Sequence, residues 1–240
     1  MKIKVFYYYS FLTLIIIVGA SFTIQRSLNK LSVTMEVKTL HKGESMVAKG
    51  TVYYKPAGGL LVSHFTHPSE NISITNANGE YKIYDYQSNE VTQAQGQEYS
   101  SKNSIFYSFL SGRSRDMGLN ALGYKLKETK FEDKLVITVW QPPVNLESSI
   151  SKVEIVQEDH KPIYMGFFNA HGIPVQKIYY SKFTTISGFN FPLSITEFQY
   201  LETGDSIISK RVYSDVRVNE QVEDKYLDFK VPMGAKLILK

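Results

Sequence analysis

Residues 50–85 carry the pattern that decides the fold. They read Gly50-Thr-Val-Tyr-Tyr-Lys-Pro56, then a short apolar stretch, then His67-Pro-Ser-Glu-Asn-Ile72, and finally Asn78-Gly-Glu-Tyr-Lys-Ile-Tyr-Asp85. Short runs rich in β-branched and aromatic residues, separated by Pro, Gly and Asn, are typical of antiparallel strands joined by tight turns. The stretch therefore predicts four consecutive strands connected as a meander.

The same alternation of strand-forming runs and turn residues extends over most of the chain. About twelve strands are expected, too many to lie flat, so the sheet must curl or split. The predicted strands cover residues 33–41, 45–55, 59–67, 70–76, 80–86, 90–95, 123–131, 134–141, 152–158, 162–169, 174–183, 190–203 and 206–218. Residues 228–236 contain Pro232 and are expected to close an edge, because proline cannot donate to a central ladder.

Residues 101–121 interrupt the strand pattern. Ile105, Phe106, Phe109 and Leu110 fall at i, i+1, i+4 and i+5, which places them on one face of a helix. Residues 116–121 are expected to add a second short helix. The fold class is therefore mainly β (α+β), with one or two helices.

Composition excludes several classes of function. The 240 residues are 43% hydrophobic and carry a net charge of +4, which is too small to indicate nucleic-acid binding. There is no cysteine, which excludes disulfides, thiol catalysis, cysteine-ligated zinc and lipid modification of the chain itself. A secreted hydrolase is the alternative from another class, but the sequence shows no nucleophile–base motif. Neither a catalytic residue nor a metal site is expected.

Residues 1–25 are expected to form a signal peptide or an N-terminal membrane anchor. Lys2 and Lys4 precede an apolar run over residues 11–18, and small residues allow cleavage after Ala20. Alternatively, residues 5–24 are long enough to span a bilayer without cleavage. Both readings place the remaining chain, residues 26–240, outside the cytoplasm as a single domain.

The order of these segments resembles the LolA-like family of periplasmic lipoprotein carriers and outer-membrane lipoprotein-sorting proteins. The likeness is strongest over residues 50–85, and it continues through residues 104–110, 134–139 and 153–163. It ends in Phe229-Lys-Val-Pro-Met-Gly234, which is similar to the terminal Phe-x-x-Pro-x-Gly of the family. The resemblance implies an incomplete, strongly curved antiparallel β-barrel closed by a short helical lid.

The resemblance also implies a function. A periplasmic, non-enzymatic, monomeric carrier would hold the acyl chains of a lipoprotein or lipid in an apolar cavity, without a cofactor. It would receive its cargo from an inner-membrane release complex and pass it to an outer-membrane acceptor. The alternative is a membrane-tethered sensor of envelope stress or lipid, of the RseB type, which an uncleaved N-terminus would favour.

The resemblance and the strand period together select candidate lipid-binding residues. The family has a lid-latching arginine where this chain has Lys55, which keeps the charge but loses the planar fork. If Lys55 points inward, alternate residues of the two strands do so as well. The predicted lining is Thr51, Tyr53, Lys55, Leu60, Val62 and His64, with Ile105, Phe106, Phe109 and Leu110 from the lid. A slip of one residue would replace the strand set by Val52, Tyr54, Leu61 and Phe65.

Overall fold

The computed structural model describes residues 27–143 and 150–239. Its main feature is one open sheet of fourteen strands in the order β14-β6-β5-β4-β3-β2-β1-β13-β12-β11-β10-β9-β8-β7. The strands are β1 (Leu31–His41), β2 (Glu44–Lys55), β3 (Leu60–His67), β4 (Asn71–Thr75), β5 (Glu80–Asp85), β6 (Glu90–Gln95), β7 (Lys125–Glu132), β8 (Leu135–Gln141), β9 (Lys152–Glu158), β10 (Lys161–Phe168), β11 (Pro174–Ile186), β12 (Phe189–Tyr200), β13 (Ser206–Val218) and β14 (Lys236–Leu239).

Two antiparallel meanders make up this sheet. Strands β1 to β6 form one and β7 to β13 the other, and the pairing of β1 with β13 joins them. Short connections explain the antiparallel order, since parallel neighbours need a long crossover. The exception is β14, which reaches the edge strand β6 after a long excursion and pairs with it in parallel. The predicted strands are confirmed, with ends shifted by a few residues. The closing segment expected over residues 228–236 meets the edge strand β14 only at Lys236, and its earlier residues Phe229, Val231 and Ala235 pack over the first meander instead. The expected N-terminal signal or anchor lies outside the described residues.

One α-helix, α1 (Ile105–Leu110), packs against the sheet and shows that the sheet bends. Tyr54 on β2 reaches Phe106 with 5.9 Å between ring centroids, and Tyr180 on β11 reaches Phe109 at 5.3 Å. Four strand spacings separate β2 from β11, which is about 19 Å in a flat sheet at ~4.8 Å per strand. Contacts this short from both strands indicate that the sheet curves around α1.

Both faces of the sheet are covered, and each has its own apolar cluster. The helix face is the face covered by α1 and residues 112–124, and its buried residues include Val33, Tyr54, Ile155 and Phe191. The tail face is the opposite face, covered at β2 to β6 by residues 219–235. Its buried residues are Tyr53, Val62, Ile72, Tyr84, Val91, Val222 and Leu227.

Candidate functional site

The helix α1 is positioned by its cap and by aromatic packing. The Ser104 side chain accepts a hydrogen bond from the backbone N–H of Tyr107 at 3.2 Å, which satisfies one free donor of the first turn. Phe106 contacts the rings of Phe191 and Tyr213 on the sheet, with centroid distances of 5.3 and 5.7 Å. Phe106 and Phe109 are 4% and 1% exposed. The helix predicted from the sequence is confirmed, and it is anchored in the core. Whether it moves as a lid stays a prediction.

A cavity of about 500 Å³ lies beside α1 on the helix face. This helix-face cavity is walled by residues of the segment 97–124 on one side and by strands β10, β11 and β13 on the other. Its volume is in the range typical of small-molecule sites. The apolar part of its lining consists of Ile105, Met117, Leu119, Ala121, Leu122, Met165, Phe167 and Ile178.

The outer wall of the cavity is a run of turns. The Asp116 side chain accepts hydrogen bonds from the backbone N–H groups of Gly118 at 3.1 Å and Asn120 at 3.3 Å. Gly118 has φ +84°, in the left-handed region that interrupts a helix. The second short helix expected over residues 116–121 is therefore wrong, because the Asp116 side chain and Gly118 favour a turn. Leu119, held in this turn, is buried in the helix-face cluster.

A polar network lies on the sheet at one side of this cavity. Arg211 on β13 lines the cavity, and its Nη2 donates to Glu197 Oε2 at 3.0 Å. Gln176 Nε2 donates to the other carboxylate oxygen, Glu197 Oε1, at 2.6 Å. Burial raises the pKa of Tyr213, and the charge and a hydrogen bond of Arg211 partly offset this. Burial also raises the pKa of Tyr180, so both hydroxyls stay neutral beside the ion pair.

The predicted strand residues lie on the other side of the sheet. Tyr53, Leu60 and Val62 belong to the tail-face cluster, under residues 222–235. The set that shares the helix face with α1 is Val52, Tyr54, Leu61 and Phe65. The strand residues that share a face with α1 are therefore those of the one-residue alternative, because the segment that covers Tyr53 and Val62 is the C-terminal tail, but none of these alternative residues lines the helix-face cavity. The two halves of the predicted lining do not share one cavity.

The remaining strand residues have separate environments on the tail face. His64 is buried, its ring stacks on Tyr226 at 4.3 Å, and its Nε2 lies 2.9 Å from Glu70 Oε1. Thr51 lines a polar pocket of about 160 Å³ that also includes Asp215 and Arg217. Leu60 lines a second cavity, the tail-face cavity of about 390 Å³, between the sheet and Phe229 and Val231.

Lys55 and the helix residues complete the predicted set. Lys55 is exposed, and within residues 27–143 and 150–239 it makes no side-chain hydrogen bond or ion pair. A latching role for Lys55 stays a prediction. Of the lid residues, Ile105 lines the helix-face cavity, whereas Phe106, Phe109 and Leu110 are buried in the core.

Sequence reasoning missed the sheet side of the cavity. Met165, Phe167 and Ile178 come from β10 and β11, far along the chain from the segment used for the prediction. One signal was available for Arg211. It precedes Tyr213 by two residues on a predicted strand and must share the face of that aromatic side chain. A charged residue on a core face is uncommon enough to indicate a site.

The described residues contain neither a metal-binding cluster nor a membrane-spanning helix. Among residues 27–143 and 150–239, no group of three or more His, Cys, Asp or Glu side chains could hold a metal ion. No helix of the same ranges has the length and apolar character needed to cross a bilayer.

Comparison with solved structures identifies the fold as LolA-like. A DUF1329 family protein from Desulfovibrio piger aligns with TM-score 0.58 at 13% identity, over 85% of this chain and 91% of its own. A domain named as an outer membrane lipoprotein-sorting protein, from Vibrio parahaemolyticus, aligns with TM-score 0.56 at 11% identity, over 83% and 89%. A LolA superfamily protein from Nitrosomonas europaea aligns with TM-score 0.56 at 13% identity, over 84% and 91%. No protein-family model and no curated protein matches the chain.

Proposed function

We propose that the protein binds the acyl chain of a lipid or lipoprotein in the helix-face cavity, without catalysing a reaction. The observation that carries the proposal is a space of about 500 Å³ between the sheet and residues 97–124 whose lining surface is mainly apolar. Each CH₂ group transferred from water into such a space contributes roughly 0.8 kcal/mol. The methylene groups of an acyl chain can therefore supply most of the free energy of binding to this cavity.

A carrier role in the periplasm is the finer part of this proposal. It is supported by the LolA-like fold and by the likeness to a protein named for outer membrane lipoprotein sorting. The carrier would act as a monomer between an inner-membrane release complex and an outer-membrane acceptor. A tethered sensor would need an uncleaved N-terminus. Mass spectrometry of the mature protein therefore separates the two roles, since a chain starting near Ser21 favours the carrier and an intact Met1 favours the sensor.

Filling the cavity with protein tests the lipid site. Ile178→Trp adds bulk to the cavity wall from β11. Tyr179→Trp is the matched control, because Tyr179 is the next residue, points to the opposite face and is 42% exposed. Each purified protein is extracted with organic solvent, and the lipid recovered per chain is measured by mass spectrometry.

We expect the wild type and Tyr179→Trp to retain lipid and Ile178→Trp to lose most of it. Circular dichroism and urea unfolding confirm that both variants remain folded. If Ile178→Trp is folded and carries as much lipid as the control, the helix-face cavity does not hold the acyl chain. If none of the three proteins binds added lipid either, the proposed function is wrong.

A further inference from the structure

The charged side chains that line the helix-face cavity are all basic, and the Asp116 carboxylate of the outer wall accepts hydrogen bonds from backbone N–H groups and does not line it. Lys102, Arg113 and Arg211 line it, and none of the described residues that line it is acidic. The carboxylate of Glu197 does not line the cavity and accepts a hydrogen bond from Arg211. A cavity with a mainly apolar surface and cationic side chains is chemically complementary to a molecule with an apolar chain and an anionic group.

Arg211 is the least exposed of the three basic side chains, and it is the one that lies on a strand of the sheet. Its side chain is 34% exposed and that of Glu197 is 21% exposed, so both are partly removed from water. The cost of removing both charges from water offsets most of the attraction between them, so such a pair stabilises a fold only weakly. Stability alone therefore does not explain why Arg211 and Glu197 lie on this face. The two oxygens of Glu197 already accept from Arg211 and Gln176. A guanidinium carries five N–H donors, so Arg211 keeps donors for a further acceptor after bonding Glu197.

Lys102 and Arg113 add charge at exposed positions of the covering segment. The Lys102 ammonium has no ion-pair partner within residues 27–143 and 150–239. The Arg113 guanidinium lies over the Tyr107 ring at 5.4 Å from its centroid, and cation–π contacts of exposed groups are weak. Both side chains are available to an anionic group in the cavity.

We propose that the cavity selects amphiphiles whose polar end is anionic, a carboxylate or a phosphate, and that this group binds at Arg211. The inference rests on the proposed function, since it names the class of lipid that the same cavity takes. The apolar chain lies along Ile105, Met165 and Ile178. The planar fork of arginine suits bidentate hydrogen bonds to either anion.

Matched ligands separate the contribution of the anionic group from that of the chain. The full-length chain, stripped of lipid, is titrated at neutral pH with dodecanoate, dodecyl phosphate, dodecanol and inorganic phosphate. Isothermal titration or displacement of an apolar fluorescent probe gives the affinities. We expect both anionic amphiphiles to bind at least about tenfold more tightly than dodecanol, a factor that corresponds to about 1.4 kcal/mol. Inorganic phosphate is expected to bind far more weakly than dodecyl phosphate.

Two variants assign this preference to Arg211. Arg211→Gln alone leaves Glu197 unpaired and can destabilise the fold. The double variant Arg211→Gln with Glu197→Gln keeps the net charge of the wild type and replaces the ion pair by two amides. It is expected to lose the preference for dodecanoate over dodecanol. Lys210→Gln is the control, because Lys210 is the exposed neighbour on β13 and points to the other face.

The possible outcomes test the anionic selectivity separately from the proposed lipid-binding function. Equal wild-type affinity for dodecanoate and dodecanol overturns the anionic selectivity and leaves the lipid cavity intact. A preference that survives in the folded double variant overturns the role of Arg211. Inorganic phosphate binding as tightly as dodecyl phosphate shows a site for a free anion and overturns the amphiphile. If no dodecyl compound binds at all, the proposed function itself fails.

Discussion

The two faces of the sheet are both rich in aromatic side chains, but they use them differently. On the tail face, Tyr226 of the C-terminal segment stacks on His64 at 4.3 Å and lies 5.1 Å from Tyr53, and about 390 Å³ stays open farther along, beside Phe229 and Val231. On the helix face, the rings around Phe106 and Phe109 anchor α1 at one place and leave about 500 Å³ open beside it. Aromatic content therefore does not distinguish the two faces, and the helix face differs in the larger volume left open beside its covering segment.

The largest expected effect is at the anchor of α1. Phe109→Ala removes a ring that is 1% exposed and contacts Tyr180 and Phe191. Truncation of a buried Phe costs about 3–5 kcal/mol in the free energy of unfolding. Ile105→Ala, on the cavity wall of the same helix, is the comparison and should cost less than about 2 kcal/mol because space already adjoins it. Urea unfolding measures both values, and equal losses would contradict the distinction between anchor and wall.

A smaller effect is expected at high pH on the helix face. Burial raises the pKa of Tyr54 to about 12. In the unfolded chain tyrosine ionises near a pKa of about 10. The contribution of Tyr54 to the free energy of unfolding is therefore fully present below pH 10. It is lost as the pH rises toward about 12, because in this range only the unfolded chain releases the Tyr54 proton.

Tyr54→Phe keeps the ring and removes this proton. We expect the variant to lose about 2 kcal/mol less than the wild type between pH 10 and 12, from a pKa difference of about two. The difference in the free energy of unfolding between the two proteins should not change with pH around neutrality, and this constant difference serves as the internal control. Parallel pH profiles through the alkaline range would show that the Tyr54 hydroxyl is not buried in the fold.

The smallest of the three effects is expected on the tail face. Tyr226→Ala removes one stacked partner of His64 and one of Tyr53. Aromatic pairs contribute about 0.5–1.5 kcal/mol each beyond their buried area, and the exposed edge of Tyr226 reduces the total. We expect a loss of about 1–2 kcal/mol in urea unfolding. Lys230→Ala, an exposed residue of the same segment, should change stability by less than about 0.5 kcal/mol. A Tyr226→Ala value as small as that of the control would mean that the tail does not hold this face.

The sequence predicts the strands well because turn residues mark their ends. Pro56, Pro68, Gly79 and Gly204 all lie between the observed strands, close to where the sequence places the turns. Choosing the face was not possible from the strand period. Val52, Tyr53 and Tyr54 are 2%, 9% and 2% exposed, so three consecutive side chains are buried and both faces are apolar at this point. A period-2 pattern identifies a face only where the other face is polar.

The candidate site was predictable only in part. The pattern of Ile105, Phe106 and Phe109 correctly predicts a helix that packs on the sheet, and Ile105 reaches the cavity. The wall formed by Met165, Ile178 and Arg211 depends on how the second meander curls under α1. That curl results from pairing between strands that are distant in the chain, such as β1 with β13, and local sequence does not record it.

One measurement tests the central claim most directly. A crystal structure of the protein with a fatty acid that carries bromine at its terminal carbon locates the end of the acyl chain by anomalous scattering. The account predicts the bromine peak in the helix-face cavity, near Met165 and Ile178. A peak in the tail-face cavity, between Leu60 and Phe229, would contradict it and return the site to the opposite side of the sheet.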